Sequence, residues 1–189
     1  PQQGSNYNGA NYAVRNLTDG IPAQNQNITE KPTDEIVVGQ GFIITKLNPG
    51  TENIVFNNSM RTTNKGKFSN ARIATTEDSK IWLQLLTPAK NFNTILIGYV
   101  NGATNAIDTG YDASPISKTS DMFYTIADNQ NLVIQGRSNN FSTEDKVQIG
   151  AVYFEPGTYE ISISQNEGIF NGAQQVYLKD NLLNKTINL

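Results

Sequence analysis

The chain has 189 residues with 14 basic and 17 acidic side chains, a formal net charge of −3, and neither cysteine nor histidine. These absences exclude disulfides, the common zinc sites, and nucleophile systems built on Ser-His-Asp or Cys-His groups. Because the basic residues are scattered rather than clustered, we expect no nucleic-acid partner. No apolar run approaches the roughly 18 to 20 residues that span a bilayer, so we also expect no membrane insertion.

The first part of the chain contains two apolar runs that are typical of strands. Residues 35–44 hold two β-branched segments separated by Gly39 and Gly41, which predicts a strand that is kinked or bulged at the glycines. A turn at 47–50 leads to residues 53–57, which we expect to return as the second strand of a hairpin.

Residues 80–86 and 92–100 have the highest apolar content of the chain. They predict a hairpin of two central strands, because strands that are buried on both faces are nearly continuous in apolar residues. Trp82 is the only tryptophan and is expected to anchor the core.

Shorter strands are predicted from residue 122 onward, at 122–126, 132–135, 146–154, 159–164, 175–180 and 186–189. The runs 146–154 and 159–164 are expected to form another hairpin. In the second of them, Tyr159, Ile161 and Ile163 alternate with polar residues, which places three large apolar side chains on one face of a strand that covers a core.

The predicted fold class is all-β with almost no helix, because helical spacing of apolar residues never persists over eleven positions. We expect an antiparallel β-sandwich of jelly-roll or immunoglobulin-like type, or two packed β modules. Residues 1–70 are assigned to an N-terminal β segment that ends a domain begun upstream. Residues 71–189 are assigned to a β-sandwich region that is incomplete at its C terminus.

The loop 101–120 carries the candidate metal ligands. Asp108 and Asp112 are four residues apart and follow Asn101 and Asn105. Calcium takes oxygen ligands from carboxylates, amides and backbone carbonyls, so Asp108 and Asp112 are candidate calcium ligands, although the spacing is not that of an EF-hand. The alternative interpretation is that both carboxylates accept hydrogen bonds from nearby backbone amides and hold the loop in shape. No other cofactor is expected.

Catalysis is not expected from the acidic residues. A glycosidase needs two carboxylates at a defined separation, and sequence neighbours such as Asp108 with Asp112, or Glu144 with Asp145, seldom meet that geometry. We therefore predict no enzyme and no catalytic residue.

A surface that binds glycans would need exposed aromatic rings on which sugars can stack. Tyr99 and Tyr111 are the candidates, and Tyr124 is a third. Most of the 8 Tyr and 8 Phe are needed for the core of an all-β protein, which makes glycan binding the alternative rather than the leading hypothesis.

Several segments occur in an order that resembles a known class of exported proteins. They are NYA at 11–13, NLTDG at 16–20, VGQGF at 38–42, VFNNSMR at 55–61, IWLQL at 81–85, GYVNGATN at 98–105, GYD at 110–112, IQGR at 134–137 and YLKDNL at 177–182. Together they resemble large cell-surface and secreted proteins that Bacteroidetes, especially gliding Flavobacterium-type bacteria, export through the type IX secretion system. The resemblance is to the β-sandwich region that precedes the C-terminal sorting domain.

The resemblance implies that these residues are part of a longer polypeptide, that the region has no catalytic role, and that the protein is secreted or displayed on the cell surface. The sequence departs from the family at Ala106 and Ile107, where Gly-Tyr is usual before the aspartate. This departure weakens the transfer of any shared role of that loop.

The leading hypothesis is a non-catalytic β-sandwich module with a structural, adhesion or gliding-related role. One alternative is a carbohydrate-binding module attached to a secreted polysaccharide-degrading enzyme. A second is a substrate or accessory protein held at the type IX translocon of the outer membrane. The expected partners are other parts of the same polypeptide, type IX secretion components and surface glycans.

Overall fold

A computed structural model describes residues 12–24, 27–46, 50–51, 53–62, 78–116, 121–172 and 174–189. In these ranges the regular structure is strand, apart from short 3-10 turns at Asn58–Met60 and Gly168–Phe170. The prediction of an all-β fold with almost no helix is confirmed. None of the described residues belongs to a helix that is long and apolar enough to cross a membrane.

The described residues form eleven strands, which we number in chain order. They are β1 (Val14–Arg15), β2 (Gly20–Ile21), β3 (Ser79–Leu86), β4 (Phe92–Val100), β5 (Met122–Ala127), β6 (Gln130–Leu132), β7 (Ile134–Ser138), β8 (Gln148–Val152), β9 (Glu160–Glu167), β10 (Tyr177–Asp180) and β11 (Lys185–Asn188).

One layer of the fold is a four-stranded sheet in the order β7-β4-β3-β9. Strands β3 and β4 pair antiparallel along their full lengths and lie at the centre, as their apolar sequences predict. Strand β7 runs parallel to β4, and β9 runs antiparallel to β3. Ser164 is the extra residue of a bulge in β9 opposite Trp82 and Leu83, and its hydroxyl donates to the Trp82 carbonyl at 3.3 Å.

The second layer is a three-stranded antiparallel sheet in the order β6-β5-β8. Asp128 and Asn129, the two residues between β5 and β6, both have positive φ angles, of 46° and 61°. This conformation fits the right-handed twist of the strands in a tight hairpin.

The main core lies between these two sheets, because alternate side chains of each strand face the opposite layer. Burying each of these large side chains contributes about 1.5 to 3 kcal/mol. The core includes Ile81, Leu83, Leu85, Ile95, Ile97, Tyr99 and Phe123, with Ile149, Ala151, Tyr159, Ile161 and Ile163 packed against it.

The other face of the four-stranded sheet is covered by the N-terminal hairpin of β1 and β2. Ile21 packs there in a second apolar cluster with Trp82, Leu96 and Ile134, so β3 and β4 are buried on both faces. Trp82 is a core anchor, as predicted, and belongs to this second cluster.

A pair of glycines lets the N-terminal segment approach this face closely. Gly98 and Gly136 are direct neighbours on β4 and β7. A Cβ atom on Gly98 would lie 2.5 Å from Cγ2 of Thr18, and one on Gly136 would lie 2.9 Å from Oγ1 of Thr18 and 2.7 Å from Cβ of Tyr111 in the loop that Thr18 contacts. None of these distances is sterically possible, so glycine is required at both positions for the segment to dock.

The strands predicted at 35–44 and 53–57 are wrong, because neither run forms a strand at its described positions. Gly39 has a φ of 86°, and the amide of Gln40 donates to the Val37 carbonyl at 3.0 Å, so the chain turns between the two β-branched segments. Without a neighbouring strand in the described ranges, side chains such as Val38 and Val55 stay exposed. The turn predicted at 47–50, apart from Gly50, and the boundary predicted at 70/71 lie outside the described residues.

One predicted strand and one predicted hairpin are each split between the two sheets. The run 132–135 is interrupted at Val133, so β6 belongs to one sheet and β7 to the other. The runs 146–154 and 159–164 are not a hairpin, because β8 lies in the three-stranded sheet and β9 in the four-stranded sheet. The connection from 153 to 159 therefore crosses between the layers.

Candidate functional site

The two carboxylates proposed as calcium ligands are engaged by backbone amides. Asp112 accepts hydrogen bonds from the amides of Asp108 at 2.6 Å and Gly136 at 2.9 Å, and the carboxylate of Asp108 accepts one from the amide of Thr104. Burial raises the pKa of Asp112, whereas the two amide hydrogen bonds oppose the rise. In the described ranges, no group of three or more acid, histidine or cysteine side chains is arranged to hold a metal ion. These contacts are those expected if the carboxylates hold the loop in shape.

Tyr111 anchors the same loop to the N-terminal segment through its backbone. Its carbonyl accepts hydrogen bonds from the side chains of Asn16 and Thr18, both at 2.7 Å. Its phenol lies so close to Gly102 that a Cβ there would be 2.3 Å from the hydroxyl oxygen. The half-buried ring of Tyr111 therefore packs against its own loop, and its proposed role in glycan binding stays a prediction.

Tyr99 lies in the core, where only 4% of it is exposed. Its ring centroid is 5.0 Å from that of Phe141 and 5.9 Å from that of Phe170, and the guanidinium carbon of Arg137 lies 5.7 Å away. These neighbours occupy the ring, so it has no free face for a sugar. This placement corrects the expectation that Tyr99 belongs to a glycan-binding surface.

The buried position of Tyr99 predicts a loss of stability at alkaline pH. Burial raises the pKa of Tyr99 to about 12, although the charge of Arg137 opposes the rise. Because the folded pKa lies above the unfolded value of 10.0, stability is complete below pH 10 and is lost as the pH rises through about 12, by about 2 to 3 kcal/mol. We expect Tyr99→Phe to remove this loss in urea titrations.

Absorbance at 295 nm gives an independent readout of the same group. The wild type should contain one tyrosine that ionises near pH 12 and is missing from Tyr99→Phe, whereas Tyr177→Phe, at an exposed position, should retain it. Identical alkaline limbs in the wild type and Tyr99→Phe would contradict the assignment.

A cluster of charged side chains joins the N-terminal segment to the four-stranded sheet. At its centre Asp19, which is 5% exposed, pairs with Arg15 at 2.8 Å and with Lys31 and Lys80, each at 3.2 Å. Glu167 of β9 lies 3.4 Å from Lys31 and 3.8 Å from Lys80. We call these five residues the Asp19 ion cluster.

The chemistry of the cluster favours an ionised Asp19. Burial alone would raise the pKa of Asp19, but the charges of Lys31 and Lys80, the amide of Gly20 and the charge of Arg15 together lower it. Lys31 also lies 4.1 Å from the ring centroid of Trp82, so the cluster covers the outer apolar surface. The arrangement locks two segments together.

The ion cluster was not predicted from the sequence. One signal is the position of Lys80, because it lies near the N-terminal end of β3, a strand buried on both faces, and a lysine there needs an acidic partner. Its partner Asp19 is 61 residues away in the chain, and sequence spacing does not reveal such a pairing.

Two exposed aromatic side chains and one half-buried one lie where the chain crosses between the sheets. Tyr153 is 51% exposed and Phe154 is 59% exposed. The ring of Tyr153 packs on that of Tyr159 with 4.2 Å between centroids and 39° between planes. We call Tyr153, Phe154 and Tyr159 the aromatic platform.

A buried carboxylate fixes the aromatic platform. Asp121 accepts a hydrogen bond from the Phe154 amide at 2.7 Å and another from the Tyr159 hydroxyl at 2.8 Å. The same hydroxyl also lies 2.9 Å from the Glu155 carbonyl. One carboxylate therefore fixes the backbone at Phe154 and the ring of Tyr159.

The platform was also missed at the level of sequence, where Tyr153 and Phe154 were assigned to a strand. Adjacent strand residues point to opposite faces, so two consecutive large aromatics cannot both enter the core between two sheets. That conflict, directly before the Glu-Pro-Gly turn signal, was the available indication of exposure.

Comparison with known proteins places the chain in a family without assigning a function. A family model described as a domain of unknown function (DUF8693) matches residues 1–189. No curated protein and no solved structure is significantly similar to the chain.

Proposed function

Because the chain belongs to the DUF8693 family, whose description names no activity, we propose its function from its own residues. It is a non-catalytic β-sandwich module of an exported bacterial surface protein, with a structural or adhesive role. The order of the sequence segments that resemble type IX secretion substrates supports the surface location.

The observation that carries this proposal is that the buried charged side chains hold segments of the chain together. The described residues bury four charged side chains, those of Asp19, Lys80, Asp121 and Arg137. Asp19 pairs with Lys80, Asp121 holds the 153–159 connection, and Arg137 pairs with Asp145 at 3.3 Å. Each of the four fixes one segment of the chain against another.

The ion cluster suits a protein that must fold after export without disulfides. The chain has no cysteine, and a cross-link between distant segments is the usual device for stabilising secreted domains. Here Asp19 pairs with Lys80, 61 residues away, and Lys31 pairs with Glu167, 136 residues away, so the cluster joins segments that are far apart in the sequence. We assign to this cluster the stabilising role that a disulfide has elsewhere.

The surface location is tested on intact cells that produce the full-length protein. An antibody against residues 12–189 should label intact cells, and external protease should remove the epitope while a periplasmic control protein stays intact. An epitope that is protected until lysis would contradict export to the surface.

The non-catalytic role is tested with the purified chain and with a deletion. Removal of residues 12–189 from the full-length protein should reduce attachment of cells to a surface, or shorten the reach of the neighbouring domains, without removing an enzymatic activity. Hydrolysis of a polysaccharide by the purified chain, abolished by Asp112→Asn or Asp121→Asn, would overturn the proposal.

A further inference from the structure

We propose that the aromatic platform of Tyr153, Phe154 and Tyr159 is a binding site for neutral glycans. This inference rests on the adhesive role in the proposed function and deepens it, because it names the class of ligand. It rests on three properties of the platform, which are the exposure of Tyr153 and Phe154, the support of the Tyr153 ring by Tyr159, and the charge of the surrounding residues.

Two large rings are exposed at adjacent positions where the chain crosses between the sheets. Tyr153 and Phe154 expose 51% and 59% of their surface. The nearby side chains of Tyr159 and Ile161, by contrast, are packed against the main core. The two rings therefore leave apolar surface available that the fold does not use.

The platform is held rigid before any ligand arrives. Asp121, which is buried, fixes the backbone at Phe154 and the hydroxyl of Tyr159, and Tyr159 in turn supports the ring of Tyr153. A Cβ on Gly157 would lie 2.6 Å from Cγ of Pro88, so the connection is also pressed against the β3–β4 turn. A surface ordered in advance loses little entropy on binding.

The chemistry of the platform fits a sugar ring. The face of an aromatic ring carries partial negative charge, which attracts the weakly positive C–H groups on one face of a pyranose. The hydroxyl of Tyr153 and the exposed carboxylate of Glu155 can accept hydrogen bonds from sugar hydroxyls.

The charge of the platform selects among glycans. The platform lies beside the exposed carboxylate of Glu155 and is held by the buried carboxylate of Asp121, residues 153–160 contain no basic side chain, and the chain as a whole has a net charge of −3. Sulfated or uronic-acid polymers would be repelled by this surface, because like charges that are brought together without a counterion are destabilising. The ligand is therefore a neutral polysaccharide.

Affinity electrophoresis of the purified chain in gels containing a soluble neutral β-glucan or alginate tests this site. The neutral polymer should retard the wild type, and alginate should not. Tyr153→Ala and Phe154→Ala should each weaken the retardation constant at least about tenfold, as expected for the loss of an aromatic hot-spot residue. The matched controls Tyr177→Ala, at a position that is 57% exposed, and Phe56→Ala should bind like the wild type.

The outcomes separate this proposal from its alternatives. Unchanged binding by the two platform variants, stronger retardation by alginate, or no retardation by a panel of neutral glucans, mannans and xylans would each overturn it. Size-exclusion chromatography with light scattering tests for self-association. A wild-type dimer that Phe154→Ala dissociates would overturn the proposal in favour of self-association. Urea unfolding midpoints that match that of the wild type verify that the variants fold. Failure here leaves the surface role intact, because intact-cell proteolysis tests that role independently.

Discussion

Replacement of Asp19 by asparagine is expected to lower the free energy of unfolding by about 3 to 5 kcal/mol. The cause is Lys80, which is 2% exposed and would keep only Glu167, at 3.8 Å, as a charged partner. The variant would bury the ammonium group of Lys80 without its nearest carboxylate, and burial of an unpaired charge has a large free-energy cost. Because domains are stable by only about 5 to 15 kcal/mol, urea denaturation followed by Trp82 fluorescence should detect the change readily.

A matched substitution separates burial from charge. Asp34 also contacts Arg15, at 2.6 Å, but its side chain is 60% exposed, so Asp34→Asn should change stability by no more than about 0.5 kcal/mol. The double variant Asp19→Asn, Lys80→Met should recover part of the loss, since the unpaired charge is then absent. Equal effects of Asp19→Asn and Asp34→Asn would refute a buried cluster centred on Asp19.

The same residue predicts how stability depends on acid. The pKa of Asp19 is lower in the folded protein than its usual value of 3.8, so its contribution is complete above pH 3.8 and is lost as the pH falls through the folded value. The difference between the wild type and Asp19→Asn should therefore be largest near neutral pH and shrink below about pH 4.

The strands that the sequence predicts well are those buried on both faces. β3 and β4 are recognisable because Ile81 to Leu86 and Thr94 to Val100 leave few polar positions, and burial on both sides demands such a run. The alternation of Tyr159, Ile161 and Ile163 likewise matches their contacts with the core. At these strands the pattern of apolar residues in the sequence matches the burial of the side chains in the structure.

The pairing of strands is not encoded in local pattern. β8 and β9 resemble a hairpin in sequence, yet they lie in different sheets, because the preference for pairing neighbours competes with closure of the core. The run 35–44 has strong β character, but a strand also needs a partner for its backbone groups. Gly39, with its positive φ, turns the chain instead.

In the candidate sites, too, local contacts follow from the sequence pattern and long-range contacts do not. The local hydrogen bonds of Asp108 and Asp112 follow from plain turn chemistry, whereas the position of Tyr99 depends on Phe141 and Phe170, which come from distant parts of the chain. The Asp19 ion cluster and the support of the platform by Asp121 both join residues more than thirty positions apart. Contacts of this kind become visible only in the folded structure.

Replacement of Trp82 by alanine is the second large effect, with an expected loss of about 3 to 5 kcal/mol. Trp82 packs with Ile21 and Leu96 in the outer cluster, and its indole N–H donates to the Gly20 carbonyl at 2.9 Å. Its removal leaves a cavity under the N-terminal hairpin and an unsatisfied carbonyl. Circular dichroism in urea should measure the loss, because the variant has no tryptophan.

A comparison of the two faces of β3 decides whether Trp82 holds the N-terminal segment in place. Leu83→Ala removes a buried side chain from the main core instead and should cost about 2 to 5 kcal/mol through global unfolding alone. In native-state hydrogen exchange, Trp82→Phe should accelerate the amides of Leu17 and Gly20, which bond to the Gly110 carbonyl at 2.9 Å and the Asp19 carboxylate at 2.7 Å, more than those of β5. Equal acceleration in both sheets would mean that the segment opens only when the whole sandwich unfolds, and that Trp82 has no separate role in docking it.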